Sequence, residues 1–233
     1  MEKYYYLLIN VFTISIPFIR SFEPRVYFIS RWKGIFLGIS ITGAVFIIWD
    51  MIFTKMGIWG FNPTYLTGVN IINLPLEEWL FFITIPYACI FIYEAMNYFI
   101  KKDILNRFSY PLTYVIITIL YILGIVYRLN WYTGFTFIFT ASFLLFLLVF
   151  VKPAYLGRFY IGYAVSFIPF LLVNGILTGS FIPDEIVWYN DSENLSVRIF
   201  TIPVEDSVYM MLLLIMNISI YEWWKDKNNL NTH

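Results

Sequence analysis

The sequence predicts an all-α membrane protein of seven transmembrane helices, arranged as two parallel three-helix repeats joined by a connecting helix. Three observations lead there. First, of 233 residues 60% are hydrophobic and 13% charged, with mean hydropathy +0.73, whereas a soluble domain carries about 25% charged residues. Second, apolar runs of the roughly 20 residues that cross a bilayer fall near 4–20, 34–53, 75–99, 110–127, 131–151, 159–178 and 201–224. Third, a short acidic phrase inside these runs, Pro75-Leu76-Glu77-Glu78, returns 128 positions later as Pro203-Val204-Glu205-Asp206.

The loops between the runs test the count. With seven spans, one side receives Arg20, Arg25, Arg31, Lys33, Lys101, Lys102, Arg107, Lys152, Arg158, Lys225 and Lys227; the other receives Lys3, Lys55, Arg128 and Arg198. Positive loops stay cytoplasmic, so this split of 11 to 4 places the N-terminus outside and the C-terminus inside. The N-terminus shows no signal-peptide cleavage pattern and runs straight into the first span. Trp49, Trp59, Trp131, Trp188, Trp223 and Trp224 fall at span ends or beside them, as interfacial anchors do. Gly34-x-x-x-Gly38 and Gly175-x-x-x-Gly179 offer small surfaces for close helix packing.

Aligning the acidic phrases lays spans one to three (residues 1–107) over spans five to seven (residues 131–227). Asp50 near the end of span two then falls beside Asn174 in span six, with the following loop four residues longer in the second copy. Three spans per unit would invert the second copy. Span four (residues 108–130) restores a common orientation, as parallel repeats about an axis along the membrane normal require. Both phrases open their helices at the outer end. The proline sits in the first turn, where its missing N–H is harmless, and the acids follow where the helix dipole favours negative charge.

A capped helix start would explain one copy. Each phrase is also followed, 19 positions after its proline, by a Tyr-Glu pair, Tyr93-Glu94 and Tyr221-Glu222. Carboxylates in apolar spans are costly, so a duplicated set points to function. Glu94 and Glu222 lie about 25 Å further along their helices, too far to share a centre with the first acids. They read as ion-pair partners near Lys101, Lys102, Lys225 and Lys227.

Several function classes drop out. Cys89 and His233 are the only residues of their kind, too few for a zinc or iron–sulfur site and for an intrachain disulfide. No G-x-G-x-x-G phrase offers a flavin or nicotinamide site. Zero net charge without a basic stripe argues against nucleic acid. A retinal Schiff base needs a lysine inside the last span, and Lys225 lies beyond it. The acidic loop Asp184-Glu185 with Asp191 and Glu193 lacks the spacing of a diphosphate-binding prenyltransferase.

The stretch Trp59-Gly60-Phe61-Asn62-Pro63, Leu66-Thr67-Gly68 and Asn73-Leu74-Pro75-Leu76-Glu77-Glu78-Trp79-Leu80-Phe81-Phe82 strongly resembles the lycopene cyclase domain family. This is the small, flavin-independent membrane type found as bacterial heterodimers and in fused proteins. Ile202-Pro203-Val204-Glu205-Asp206 resembles the partner domain, and together the two cover the chain from about residue 4 to 224. The resemblance implies a lycopene β-cyclase in a bacterial-type cytoplasmic membrane. It would convert lycopene through γ-carotene to β-carotene without cofactor or metal. Lycopene and membrane lipid would be its partners, and a homo-oligomer is left open.

The family's essential acids map onto Glu77, Glu78, Glu205 and Asp206. The second copy departs in having Asp206 for a Glu and Ser207-Val208-Tyr209-Met210 for Trp-Leu-Phe-Phe, which implies a set either shorter in reach or secondary in role. The implied chemistry is redox-neutral. A proton adds at C2 of an end group, the C5=C6 bond closes the ring onto the C1 cation, and loss of the C6 proton gives the β ring. Paired carboxylates in an apolar site retain a proton, and aromatic faces stabilise a cation without trapping it. Trp79, Phe81, Phe82 and Tyr209 hold suitable positions, with Asp50 and Asn174 as weaker polar candidates that orient the acids. A small transporter or proton channel is the non-enzyme rival. A hydratase would share the carbocation.

Overall fold

The computed structural model describes residues 2–228, so the lone His233 lies outside the described residues. It is 73% helical. Seven α-helices follow in order: α1 (Tyr5–Arg20), α2 (Trp32–Met56), α3 (Leu76–Phe99), α4 (Asn106–Val126), α5 (Trp131–Phe146), α6 (Leu156–Leu177) and α7 (Val204–Lys227). Six are long and apolar enough to cross a membrane, the fifth by way of a π-helical turn at Leu147–Val151. The first has 16 residues, about 24 Å at 1.5 Å per residue, against a hydrocarbon core of about 30 Å. Its outward face carries Leu8, Val11, Phe12, Ile16 and Ile19. The chain is thus an all-α membrane protein with six helices of spanning length.

Helices α3 and α7 lie at the centre and touch each other. The remaining contacts come in matched sets: α1 runs along α3 and α5 along α7; α2 packs on α3 and α6 on α7. Across the middle, α2 meets α7 and α6 meets α3, while α4 covers α5 and α6. Close approach of α2 to α7 depends on Gly34, where a Cβ would stand 2.3 Å from the Trp224 ring, and on Gly38 against the Asn217 carbonyl. The other glycine pair does not join helices. Gly175 faces Ser180 in the turn leaving α6, and Gly179 holds φ +94° there, a conformation suited to glycine.

One end of the bundle carries short strands whose positions repeat at an interval of 128. They are β1 (Trp59–Phe61), β2 (Asn70–Ile71), β3 (Leu74–Pro75), β4 (Val187–Tyr189), β5 (Arg198–Ile199) and β6 (Ile202–Pro203). β2 pairs with β3 and β5 with β6, each hairpin turning through a left-handed residue, Ile72 at φ 61° and Phe200 at φ 58°. β1 and β4 pair antiparallel, Trp59 opposite Tyr189 and Phe61 opposite Val187. The flanking bonds are matched too: Asn62 N–H donates to Ile186 at 2.8 Å, and Asn190 N–H to Ile58 at 2.9 Å. At the crossing point the Trp188 indole covers Gly60, where a Cβ would meet it at 2.3 Å.

Pro75 and Pro203 close β3 and β6, one residue before their helices begin, rather than inside the first turn. Each is extended (ψ 149° and 138°), which suits a strand end. The next N–H is taken by the loop: Leu76 donates to Val69 at 2.8 Å and Val204 to Val197 at 2.9 Å.

Candidate functional site

Consecutive residues on a helix point about 100° apart, so the two acids of each phrase cannot share a direction. The structure divides them in the same way in both halves. Glu77 and Glu205 are fully buried and turn toward the preceding loops. Glu77 Oε1 accepts from the Thr67 N–H at 2.7 Å, and Glu205 Oε1 from the Leu195 N–H at 2.8 Å. Glu205 also accepts from Thr133 at 2.6 Å. Neither glutamate lines the cavity that their neighbours share.

Glu78 and Asp206 face that cavity, which lies between the two halves beneath the β1–β4 ladder. Asp50 and Asn174 line it with them. The Tyr6 hydroxyl of α1 donates to Glu78, and the Tyr132 hydroxyl of α5 donates to Asp206. Asp206 Oδ2 further accepts from Asn174 Nδ2 at 2.6 Å and from the Tyr189 hydroxyl at 3.0 Å. Asp50 Oδ1 accepts from the Trp59 indole at 2.5 Å and Thr54 at 3.2 Å. Burial first, then the Asp206 carboxylate, pushes the Tyr189 phenol well above its usual range, so it stays a hydrogen-bond donor.

Aromatic rings make the rest of the wall. Phe81 and Tyr209, matched at the 128-residue interval, both line the cavity, with Trp59, Phe61, Tyr132, Phe170 and Tyr189. Trp59 packs on Tyr132 at 5.1 Å between centroids, and Tyr132 stacks on Tyr189 at 5.7 Å. Phe82 is buried one layer back against Phe46, and Trp79 does not reach the cavity. Among the described residues, no Lys, Arg or His lines it, and no group of three or more His, Cys, Asp or Glu could hold a metal ion.

An apolar groove continues from this cavity between α1, α3 and α6. Phe81, Ile85, Phe170, Asn174 and Met210 belong to both spaces. Farther out the groove is lined by Phe12, Ile16, Ala88, Ile92 and Val173. The corresponding space between α5, α7 and α2 is filled. Trp49 occupies it, 4.7 Å from Phe135 and 4.9 Å from Tyr209 between centroids.

Two tryptophans therefore depart from interfacial anchoring. Trp59 is a donor to Asp50 and Trp49 is 4% exposed inside an aromatic cluster, whereas Trp131 and Trp223 are more than half exposed and fit the anchor role. Their place near a span end is the same in sequence; only tertiary packing separates the two groups. Tyr6, Tyr132, Thr133 and Tyr189 were not singled out by sequence reasoning. A signal existed for two of them: Tyr6 and Tyr132 open the first helix of each half at an interval of 126.

At the opposite end, Glu94 and Glu222 meet in one buried ion cluster. Lys225 Nζ lies 3.2 Å from Glu94 and 2.9 Å from Glu222, Arg31 pairs with Glu94, and Tyr93 donates to Glu222 at 2.9 Å. Lys101 and Lys227 instead lie over the Tyr98 and Trp223 rings. The cluster ties the turn that precedes α2 to α3 and α7 and lies away from the acid cavity.

A family model described as lycopene cyclase matches this chain over residues 3–96 and 129–224. No curated protein and no solved structure matches it.

Proposed function

The chain belongs to the lycopene cyclase family, which implies a lycopene cyclase-type function, and from that premise we propose that it is a lycopene β-cyclase. Residues 1–107 and 131–227 act as two parallel repeats joined by residues 108–130, and α1 completes seven spans with the N-terminus outside. Its seat is a bacterial-type cytoplasmic membrane. A carotenoid end lies in the acid cavity while the polyene chain lies in the groove between α1, α3 and α6.

What carries this is one observation: Glu78 and Asp206, at equivalent positions of two matched halves, face a single aromatic-walled cavity. Glu78 supplies the proton to C2. The C1=C2 electron pair becomes the new C2–H bond, the C5=C6 pair closes the ring onto C1, and positive charge moves to C5. Phe81, Tyr209 and Trp59 present ring faces to that charge, and the Asp206 carboxylate opposes it at close range. The C6 proton passes to the carboxylate left on Glu78 by the first transfer, and its bonding pair, returned to C5=C6, completes the β ring. No redox partner is required. Glu77 and Glu205 tie the Thr67 and Leu195 loops to the starts of α3 and α7.

Pigment extraction from a lycopene-accumulating host carrying this chain tests the proposal. β-Carotene, with γ-carotene as the intermediate, should replace lycopene. Unchanged lycopene together with pH-driven flux in vesicles would instead identify a transporter.

A further inference from the structure

We propose that Asp50 is part of the proton donor: Asp50 and Glu78 hold one proton between them, while Asn174 keeps the matching carboxylate, Asp206, charged. The two half-sites thereby divide the work. This rests on the cyclisation proposed above and assigns a role within it that the repeated acidic phrases do not reveal.

Asp50 lies near the end of α2, is 1% exposed, and lines the cavity. Its Oδ1 is satisfied by Trp59 and Thr54, but its Oδ2 has no donor. The Glu78 carboxyl lines the same cavity. Two bare carboxylates cannot sit together in an apolar site without a cation, and among the described residues none lines this cavity. A single proton between them removes one charge and fills the Oδ2 position with a hydrogen bond.

The second half differs at one atom group. Asn174 stands where Asp50 stands, and its Nδ2 donates to Asp206 at 2.6 Å. An amide brings its own hydrogens, so no shared proton is needed. With Tyr132 and Tyr189, Asp206 receives three donors, which favour its charged form over the protonated one.

The other titratable groups facing the pair are Tyr6 from α1, Tyr132 from α5, Tyr189 from β4, and Tyr209 and Asp206 from α7, while Glu77 next to Glu78 on α3 is turned toward the Thr67 loop. None is basic. When the shared proton passes to C2, the pair gains one negative charge as the substrate gains one positive charge. The proton released from C6 returns to the pair and exchanges with water before the next ring closes, so each closure leaves the protein as it began.

The test combines infrared spectroscopy of membranes at neutral pH with pigment turnover. Asp50→Asn should remove a protonated-carboxyl C=O stretch present in the wild type and lower ring closure by about 10²–10⁴-fold, the contribution of a general acid. Asn174→Asp should add such a band. The exchange variant Asp50→Asn/Asn174→Asp should move the shared proton to Asp206 and recover turnover relative to Asp50→Asn. An unchanged band in Asp50→Asn, or wild-type turnover in that variant, would overturn the shared proton. Should Asp50→Asn fail to insert, absence of a new band in Asn174→Asp overturns it. The infrared arm needs no substrate. A wild type that forms no ring yet shows these bands would refute the cyclase proposal while leaving the proton assignment standing.

Discussion

Replacing Glu78 by Gln removes the transferable proton and little else. The Gln carbonyl oxygen still accepts from the Tyr6 hydroxyl, and its amide donates to the Asp50 Oδ2 that otherwise has no donor. The side chain is 8% exposed and the substitution keeps its volume, so insertion and thermal stability should change little. Loss of a general acid removes about 10²–10⁴ in rate, or about 2.7–5.4 kcal/mol at about 1.36 kcal/mol per tenfold. Tyr6→Phe is the internal calibration. It deletes one hydrogen bond to a carboxyl group, roughly 1.5–3 kcal/mol, and should slow turnover by about 10- to 150-fold, less than Glu78→Gln. Both are measured as the initial rate of γ-carotene and β-carotene formation from lycopene in proteoliposomes, normalised to inserted protein. A Glu78→Gln enzyme within tenfold of wild type, or slower Tyr6→Phe than Glu78→Gln, would refute the assignment of Glu78 as donor.

Three further outcomes follow from other parts of the molecule. Val173→Trp should close the groove between α1, α3 and α6 as Trp49 closes its counterpart, abolishing conversion without loss of fold; undiminished turnover would place the polyene elsewhere. Glu205→Ala leaves the half-buried Leu195 N–H and the buried Thr133 hydroxyl without their acceptor, so thermal unfolding should show a loss of about 1–3 kcal/mol, most of it from the Thr133 hydroxyl. Residual activity per folded molecule should exceed that of Glu78→Gln. Lys225→Met strips the Glu222 carboxylate of its cation at the far end of the bundle and should destabilise by about 3–5 kcal/mol, with no change in the products formed.

Much of this was legible in the sequence because it rests on local rules. Apolar run lengths place the helices to within a few residues; the 128-residue interval brings acid beside acid, and a loop four residues longer in the second half brings Asp50 beside Asn174. The division of each acid pair was also available, since neighbours on a helix point 100° apart. Other features depend on the third dimension. Tyr6 meets Glu78 across 72 positions and Tyr132 meets Asp206 across 74, contacts fixed by how α1 lies on α3 and α5 on α7. Trp59 looks like any span-end tryptophan until β1 turns it back over Asp50. The placement of Pro75 and Pro203 before their helices reflects two-residue hairpins too short to leave a periodic signal. Arg31 reaches Glu94 only because the turn after α1 returns it to the bundle end.

Lycopene cyclisation by this chain in heavy water is the most direct measurement of the central claim. Purified protein, lycopene and lipid, with no flavin or nucleotide added, should yield β-carotene carrying one solvent deuterium for each ring closed. Lycopene recovered unchanged, or rings formed without solvent deuterium, would contradict proton-initiated closure at Glu78.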